Sequence, residues 1–136
     1  MESQELRKVG LKVTLPRLKV LEILETTKQR HLSAEDVYKA LLKMGEEIGL
    51  ATVYRVLTQF EAAGLVSRLS IDGGHAVFEI EDGNHHDHML CVRCNAIEEF
   101  TDDVIEERQH AIAAEKGFDM TDHSLYIYGI CKQCQK

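Results

Sequence analysis

Residues 85 to 94 read HHDHMLCVRC, so three histidines, an aspartate and two cysteines fall within ten positions. Near the other end, Cys131 and Cys134 repeat the C-x-x-C spacing of Cys91 and Cys94. Four thiolates close a tetrahedral zinc site and leave no open position for chemistry. In a reducing compartment, two such pairs point to metal ahead of disulfide. The rivals are a redox pair, which needs only one C-x-x-C, and an unliganded thiol cluster. A zinc ion pinning the last part of the chain to its middle would also help a small unit fold, because metal binding becomes folding free energy.

The histidines offer a different chemistry. The flanking FEI and Met89-Leu90 predict extended chain through 85 to 91, along which successive side chains alternate between faces. His86 and His88 then point one way, His85 and Asp87 the other, so the stretch feeds two sites and each needs ligands from elsewhere. Candidates are Glu98 and Glu99, Glu106 on the helix-like stretch DDVIEERQHAIAAEKG beside Asp102 or Asp103, His123 before SLYIYGI, and, in the N-terminal half, His31 and Glu79. A site combining His31 and Glu79 with His86 or His88 would tie the two halves together. Any one of these side chains alone reads as a solvated surface residue. As a group, nitrogen and carboxylate ligands suit Fe(II), Mn(II), Co(II) or Zn(II), and affinity alone does not choose among them.

The elements that must position these ligands divide by charge. The chain has 136 residues, enough for one ordinary domain or two very small ones. Residues 1 to 80 carry 11 Lys/Arg and 11 Asp/Glu, while residues 81 to 136 carry 5 and 12 and so supply the whole net charge of -7. All four cysteines and five of the seven histidines lie in that acidic part, which suits cations and not phosphates. The division predicts a domain over 1–80, a hinge at 81–84 within EDGN, and a metal-binding domain over 85–136. No apolar run approaches the roughly 18 residues needed to span a bilayer, and MESQELRK has mixed charge, so the expectation is a soluble cytoplasmic protein with no membrane partner.

In the N-terminal half, Thr14 reads as a helix cap and Pro16 as a first-turn residue, with Leu15, Leu18, Leu21 and Leu24 at helical spacing and Lys12, Arg17 and Lys19 around the start. Ser33 opens a second helix through S-A-E-D and is expected to bury Val37, Ala40, Leu41 and Met44. A third, from about Ala51 to Ala63, puts Val53, Val56, Leu57 and Phe60 on one flank, Arg55 and Thr58 nearly opposite, and Tyr54 and Gln59 at the margins. Arg, Thr, Gln and Tyr reach phosphates and base edges. LVSRLSI and HAVFEI, joined by Asp72-Gly73-Gly74, read as a hairpin. Three helices and a hairpin give the order of a winged helix-turn-helix, or simply a small core. The fold class expected is α+β, with this winged helix-turn-helix domain followed by a small α/β dimerisation domain.

Read in order, GLKVTLPR (10–17), HLSAEDVY (31–38), GLATVYRVLTQFEAAGLV (49–66), GGHAVFE (73–79), HHDHMLCVRC (85–94) and DHSLYIYGIC (122–131) resemble the ferric uptake regulators, a family of bacterial metal-dependent repressors. The resemblance covers essentially the whole chain. It implies a homodimer, or a tetramer built from dimers, that binds AT-rich palindromic double-stranded DNA operators. Tyr54 and Arg55 would then approach the major groove and Lys12 the minor groove, with Arg17 and Thr52 beside them. It implies a regulatory Fe(II) site at His31, Glu79, His86, His88 and Glu99, with Mn(II), Co(II) or Zn(II) as substitutes. A second site falls at His85, Asp87, Glu106 and His123, and structural Zn(II) at Cys91, Cys94, Cys131 and Cys134. Peroxide-sensing relatives carry aspartates where this chain has Glu79 and Glu99, which favours the iron type and control of iron uptake.

Three rivals make different demands. A zinc- or manganese-sensing regulator would use the same ligands. A metallohydrolase built on HHDH needs an open coordination position beside a general base, which no spacing here specifies. A zinc-stabilised protein-interaction module would bind no DNA at all.

Overall fold

The computed structural model describes residues 2–71, 75–81 and 85–136 and divides the chain into two units, Met1–Gly83 and Asn84–Lys136. Among the described residues the first unit comprises α1 (Glu2–Lys8), α2 (Leu15–Thr26), α3 (Ala34–Lys43), α4 (Leu50–Ala62), β1 (Val66–Ile71) and β2 (His75–Ile80). The helix starts have local causes. The Thr14 hydroxyl accepts from the Arg17 N–H at 3.3 Å, ahead of Pro16 in the first turn. Ser33 and Asp36 exchange reciprocal 3.0 Å bonds in a capping box. Each such cap contributes about 1 kcal/mol. Gly45 follows α3 with φ +82°, the left-handed turn that ends a helix without steric cost when no Cβ is present.

Val53, Val56, Leu57 and Phe60 bury the expected flank of α4 against Val20, Leu21, Val37 and Leu41. One burial expectation fails and another holds in part: Met44 is 46% exposed, because as the C-cap of α3 it lies past the turn that faces the core, and Ala40 is partly buried; Leu15, the first residue of α2, is 58% exposed. Helix α1 has no counterpart in the sequence reading. It is seven residues long with mixed charge, yet Leu6 is wholly buried in the core.

Strands β1 and β2 pair antiparallel from Val66↔Ile80 to Ile71↔His75. The turn expected at Asp72-Gly73-Gly74 lies outside the described residues, as do residues 82–84 of the expected hinge. A lone bridge extends this sheet: Leu32 and Phe78 exchange backbone bonds of 3.0 and 2.7 Å.

The second unit consists of β3 (Asp87–Cys91), β4 (Ile97–Phe100), α5 (Asp103–Glu115), β5 (Tyr126–Gly129) and a 3₁₀ turn at Lys132–Gln135. Its sheet runs β4-β3-β5, with β3 antiparallel to β4 and parallel to β5, so α5 lies in the crossover that a parallel pair requires. Helix α5 contains no buried residue, and Val104, Ile112, Phe118, Ile127 and Tyr128 are all exposed. The whole is α+β, a winged helix-turn-helix unit followed by a small α/β unit, as expected. Among the described residues, no helix is long and apolar enough to cross a membrane.

Candidate metal centres and nucleic-acid face

Parallel pairing sets Cys91 opposite Gly129, which carries Cys131 to the end of β3 two residues later. Residues 91 to 96 turn back on themselves through bonds from Asn95 N to Cys91 O and from Cys91 N to Ala96 O, both 2.9 Å, and so present Cys94. All four thiols are free, and their sulfurs lie within 4.8 Å of one another. Cys94 Sγ and Cys131 Sγ are 3.7 Å apart. Zinc–sulfur bonds of about 2.3 Å in a tetrahedron would put the sulfurs roughly 3.8 Å apart, so the residues fit a zinc ion.

The charge balance of the thiols agrees with that fit. The Cys131 and Cys94 N–H groups donate to Cys91 Sγ at 3.3 and 3.5 Å and hold its thiol down at about 6. The neighbouring sulfurs of Cys131 and Cys94 push the Cys134 thiol up to about 12. One sulfur is poised as a thiolate and another resists adding its charge to the cluster. A divalent cation at the centre removes that resistance.

A second cluster joins the start of β3, the first turn of α5 and the approach to β5. His85 Nε2 lies 2.9 Å from Asp87 Oδ1 and 3.0 Å from Glu106 Oε1, which is 3.2 Å from His123 Nε2. Asp87 is fully buried, yet its Oδ2 has no hydrogen-bond partner among the described residues. A buried carboxylate oxygen left unpaired is costly, and a cation would satisfy it. Bonds of about 2.1 Å at right angles separate ligands by roughly 3.0 Å, close to the observed spacings. Asp102, one of the alternatives beside Glu106, instead caps α5 by accepting from the Val104 and Ile105 N–H groups at 2.9 and 3.2 Å.

The remaining ligand candidates fall into two sets, one in each unit. In the first unit, the Leu32–Phe78 bridge sets residue 31 beside residue 79, and His31 Nε2 lies 3.2 Å from Glu79 Oε2. Arg30 Nε lies 3.1 Å from that same oxygen. In the second unit, His88 pairs across the sheet with Glu99, Glu98 faces away as the partner of Met89, and His86 Nε2 contacts Glu99 Oε2. The rings of His86 and His88 are 5.2 Å apart. Of the two glutamates, Glu99 shares the face of His88.

On the outward side of α4, Tyr54, Arg55 and Thr58 are exposed and Thr52 is half-buried; Lys12, before α2, is exposed. Arg17 is spent internally. Its Nε and NH2 donate to Gln59 Oε1 at 3.2 and 3.0 Å, and its NH1 to the Lys12 carbonyl at 2.9 Å, which ties the segment before α2 to α4. Arg68 of β1, not singled out by the sequence, reaches across to Tyr54 and Thr58.

Residues 8–128 match the model of the ferric uptake regulator family. The ferric uptake regulation protein of Legionella pneumophila is 66% identical over 134 residues, which cover 98% of each chain. The Vibrio cholerae ferric uptake regulator, whose structure was described for a rearrangement of its DNA-binding domains, is 55% identical with a TM-score of 0.88, covering 96% of this chain and 100% of that one. The regulator of Francisella tularensis, solved with iron, is 46% identical with a TM-score of 0.88, covering 93% and 96%. The chain belongs to the ferric uptake regulator family, whose members are metal-dependent transcriptional regulators and not enzymes.

Proposed function

We propose that this chain is an Fe(II)-responsive repressor of iron-uptake genes, acting in the cytoplasm as a homodimer on AT-rich palindromic operators. The observation that carries the reading is the split donor set: His31 and Glu79 in the first unit, and His86, His88 and Glu99 in the second. We propose these five residues as the ligands of the regulatory divalent ion. Ion binding there would be linked to operator binding. Tyr54, Arg55 and Thr52 would then meet the major groove and Lys12 the minor groove, with Arg17 setting the Lys12 segment.

Structural Zn(II) at Cys91, Cys94, Cys131 and Cys134 would close the second unit. His85, Asp87, Glu106 and His123 would form a second cation site there. The exposed apolar residues of α5 and β5 favour a second copy of the chain as their cover. Nitrogen and carboxylate donors also accept Mn(II), Co(II) or Zn(II), so a manganese- or zinc-sensing regulator of the same family is the second reading.

Metal and operator are linked through a shared conformation, so each strengthens the other's binding by the same factor, typically 1–3 kcal/mol. Operator affinity measured with Fe(II) or Mn(II), and again with chelator, tests this. Equal affinities would overturn it. Titration with several divalent ions separates the two readings.

A further inference from the structure

Glu79 is 3% exposed, and one of its oxygens, Oε2, has Arg30 Nε at 3.1 Å and His31 Nε2 at 3.2 Å. A carboxylate so far from water needs a compensating charge. Arg30 and His31 differ in how they can respond to a metal. His31 is 12% exposed, and its neutral imidazole is itself a ligand. The Arg30 guanidinium offers donors only, cannot give up its proton and ligates nothing. It is also 46% exposed, so it can swing from the carboxylate into water while its stem stays in place.

We propose that Arg30 is a placeholder cation for Glu79. Its guanidinium neutralises the carboxylate in the metal-free protein and leaves Oε2 when a divalent ion is taken up, so residue 30 sets the metal affinity of the regulatory site. The proposal rests on Glu79 belonging to that site. In the metal-free state the ion pair lowers the free energy. In the metal-bound state the same fixed charge is released or repelled by the ion. Both effects weaken binding, and neither changes the ligand set. Partial exposure of the guanidinium screens the interaction, which leaves an effect of about three- to tenfold in affinity.

The test is Mn(II) titration of the zinc-loaded full-length protein, with free Mn(II) followed by its paramagnetic resonance signal, on the wild type and on R30Q, R30K and E79Q. Thermal midpoints without Mn(II) are measured alongside. The expected result is that R30Q binds Mn(II) about three- to tenfold more tightly at the site lost in E79Q, with a lower metal-free midpoint, and that R30K stays near wild type in both. Affinity in R30Q equal to or weaker than wild type, with E79Q still abolishing the site, overturns the placeholder role and leaves the regulatory-site reading standing. Unchanged Mn(II) binding in E79Q overturns both.

Discussion

The guanidinium of Arg68 lies over the ring of Tyr54, 5.5 Å from its centroid, and donates to the Tyr54 hydroxyl at 3.2 Å. The same group donates to Thr58 Oγ1 at 3.3 Å, pairs with Glu61 Oε1 at 3.1 Å and stacks 5.1 Å from the Phe78 ring centroid. One side chain of β1 thereby holds three outward residues of α4, so hairpin and helix present a single rigid surface. Replacing Arg68 by Met is expected to free Tyr54 and lower operator affinity by about 1–2 kcal/mol, from the lost cation–π contact and hydrogen bonds. Binding to a scrambled duplex should fall less. Anisotropy titrations on both duplexes check this, and equal losses on the two would mean that Arg68 contacts phosphate instead.

Removal of the proposed structural zinc should unfold the second unit. That unit is 53 residues long, its α5 buries no side chain, and a structural zinc contributes on the order of 10 kcal/mol, as much as a small domain's whole stability. Acid should have the same effect, because protons compete for the thiolates. Cys91, held down at about 6 by the Cys131 and Cys94 N–H groups, keeps its charge until the pH falls to that range, whereas Cys134, pushed up to about 12 by its neighbouring sulfurs, is a thiolate only while the ion is present. Zinc is expected to stay bound at pH 7 to 8 and to be released only in more acid solution, below the range in which Cys91 keeps its charge without the ion. A chromogenic chelator followed together with circular dichroism measures it.

The parts legible in the sequence were those with a period or a cap. Val53, Val56, Leu57 and Phe60 repeat at helical spacing and are buried as a set, and Ser33 and Asp36 form the box that S-A-E-D announces. The alternation of His86 and His88 against His85 and Asp87 follows from a strand, and β3 is one from Asp87 onward. What escaped has no such signature. A seven-residue helix such as α1 is too short for a stripe, and the Leu32–Phe78 bridge that sets His31 beside Glu79 involves a single residue outside any strand. Arg68 sits at a polar position of β1, where sequence alone suggests solvent. Its partners Tyr54, Thr58 and Glu61 come from another element, and only tertiary packing brings them within reach.

The proposed dimer can be tested at β5, an edge strand of the second sheet with Ile127 and Tyr128 exposed. An apolar edge left open invites pairing with another chain. Ile127→Asp places a charge on that edge and is expected to shift sedimentation from dimer toward monomer, weakening association by at least about tenfold. The Cys94–Cys131 zinc region should stay folded, because Ile127 is already exposed within one chain. A dimer unchanged in I127D would move the interface to the face of α5 that carries Val104 and Ile112.

Asp87 gives the sharpest separation between the proposed second cation site and the proposed zinc site of the four cysteines. Asn has nearly the same shape but no charge, and in D87N the oxygen that lacks a partner becomes either an amide nitrogen or a weaker donor to a cation. Without metal, removing a buried charge should leave stability equal or higher, because Asp87 is wholly buried and one of its oxygens is unpaired. With metal, binding at His85, Glu106 and His123 should weaken by at least about tenfold while zinc content is unchanged. Calorimetric titration of the zinc-loaded protein, paired with thermal midpoints in chelator, reads both effects. Unaltered affinity in D87N would show that the cluster of His85, Asp87, Glu106 and His123 is held by its own hydrogen bonds and takes up no ion.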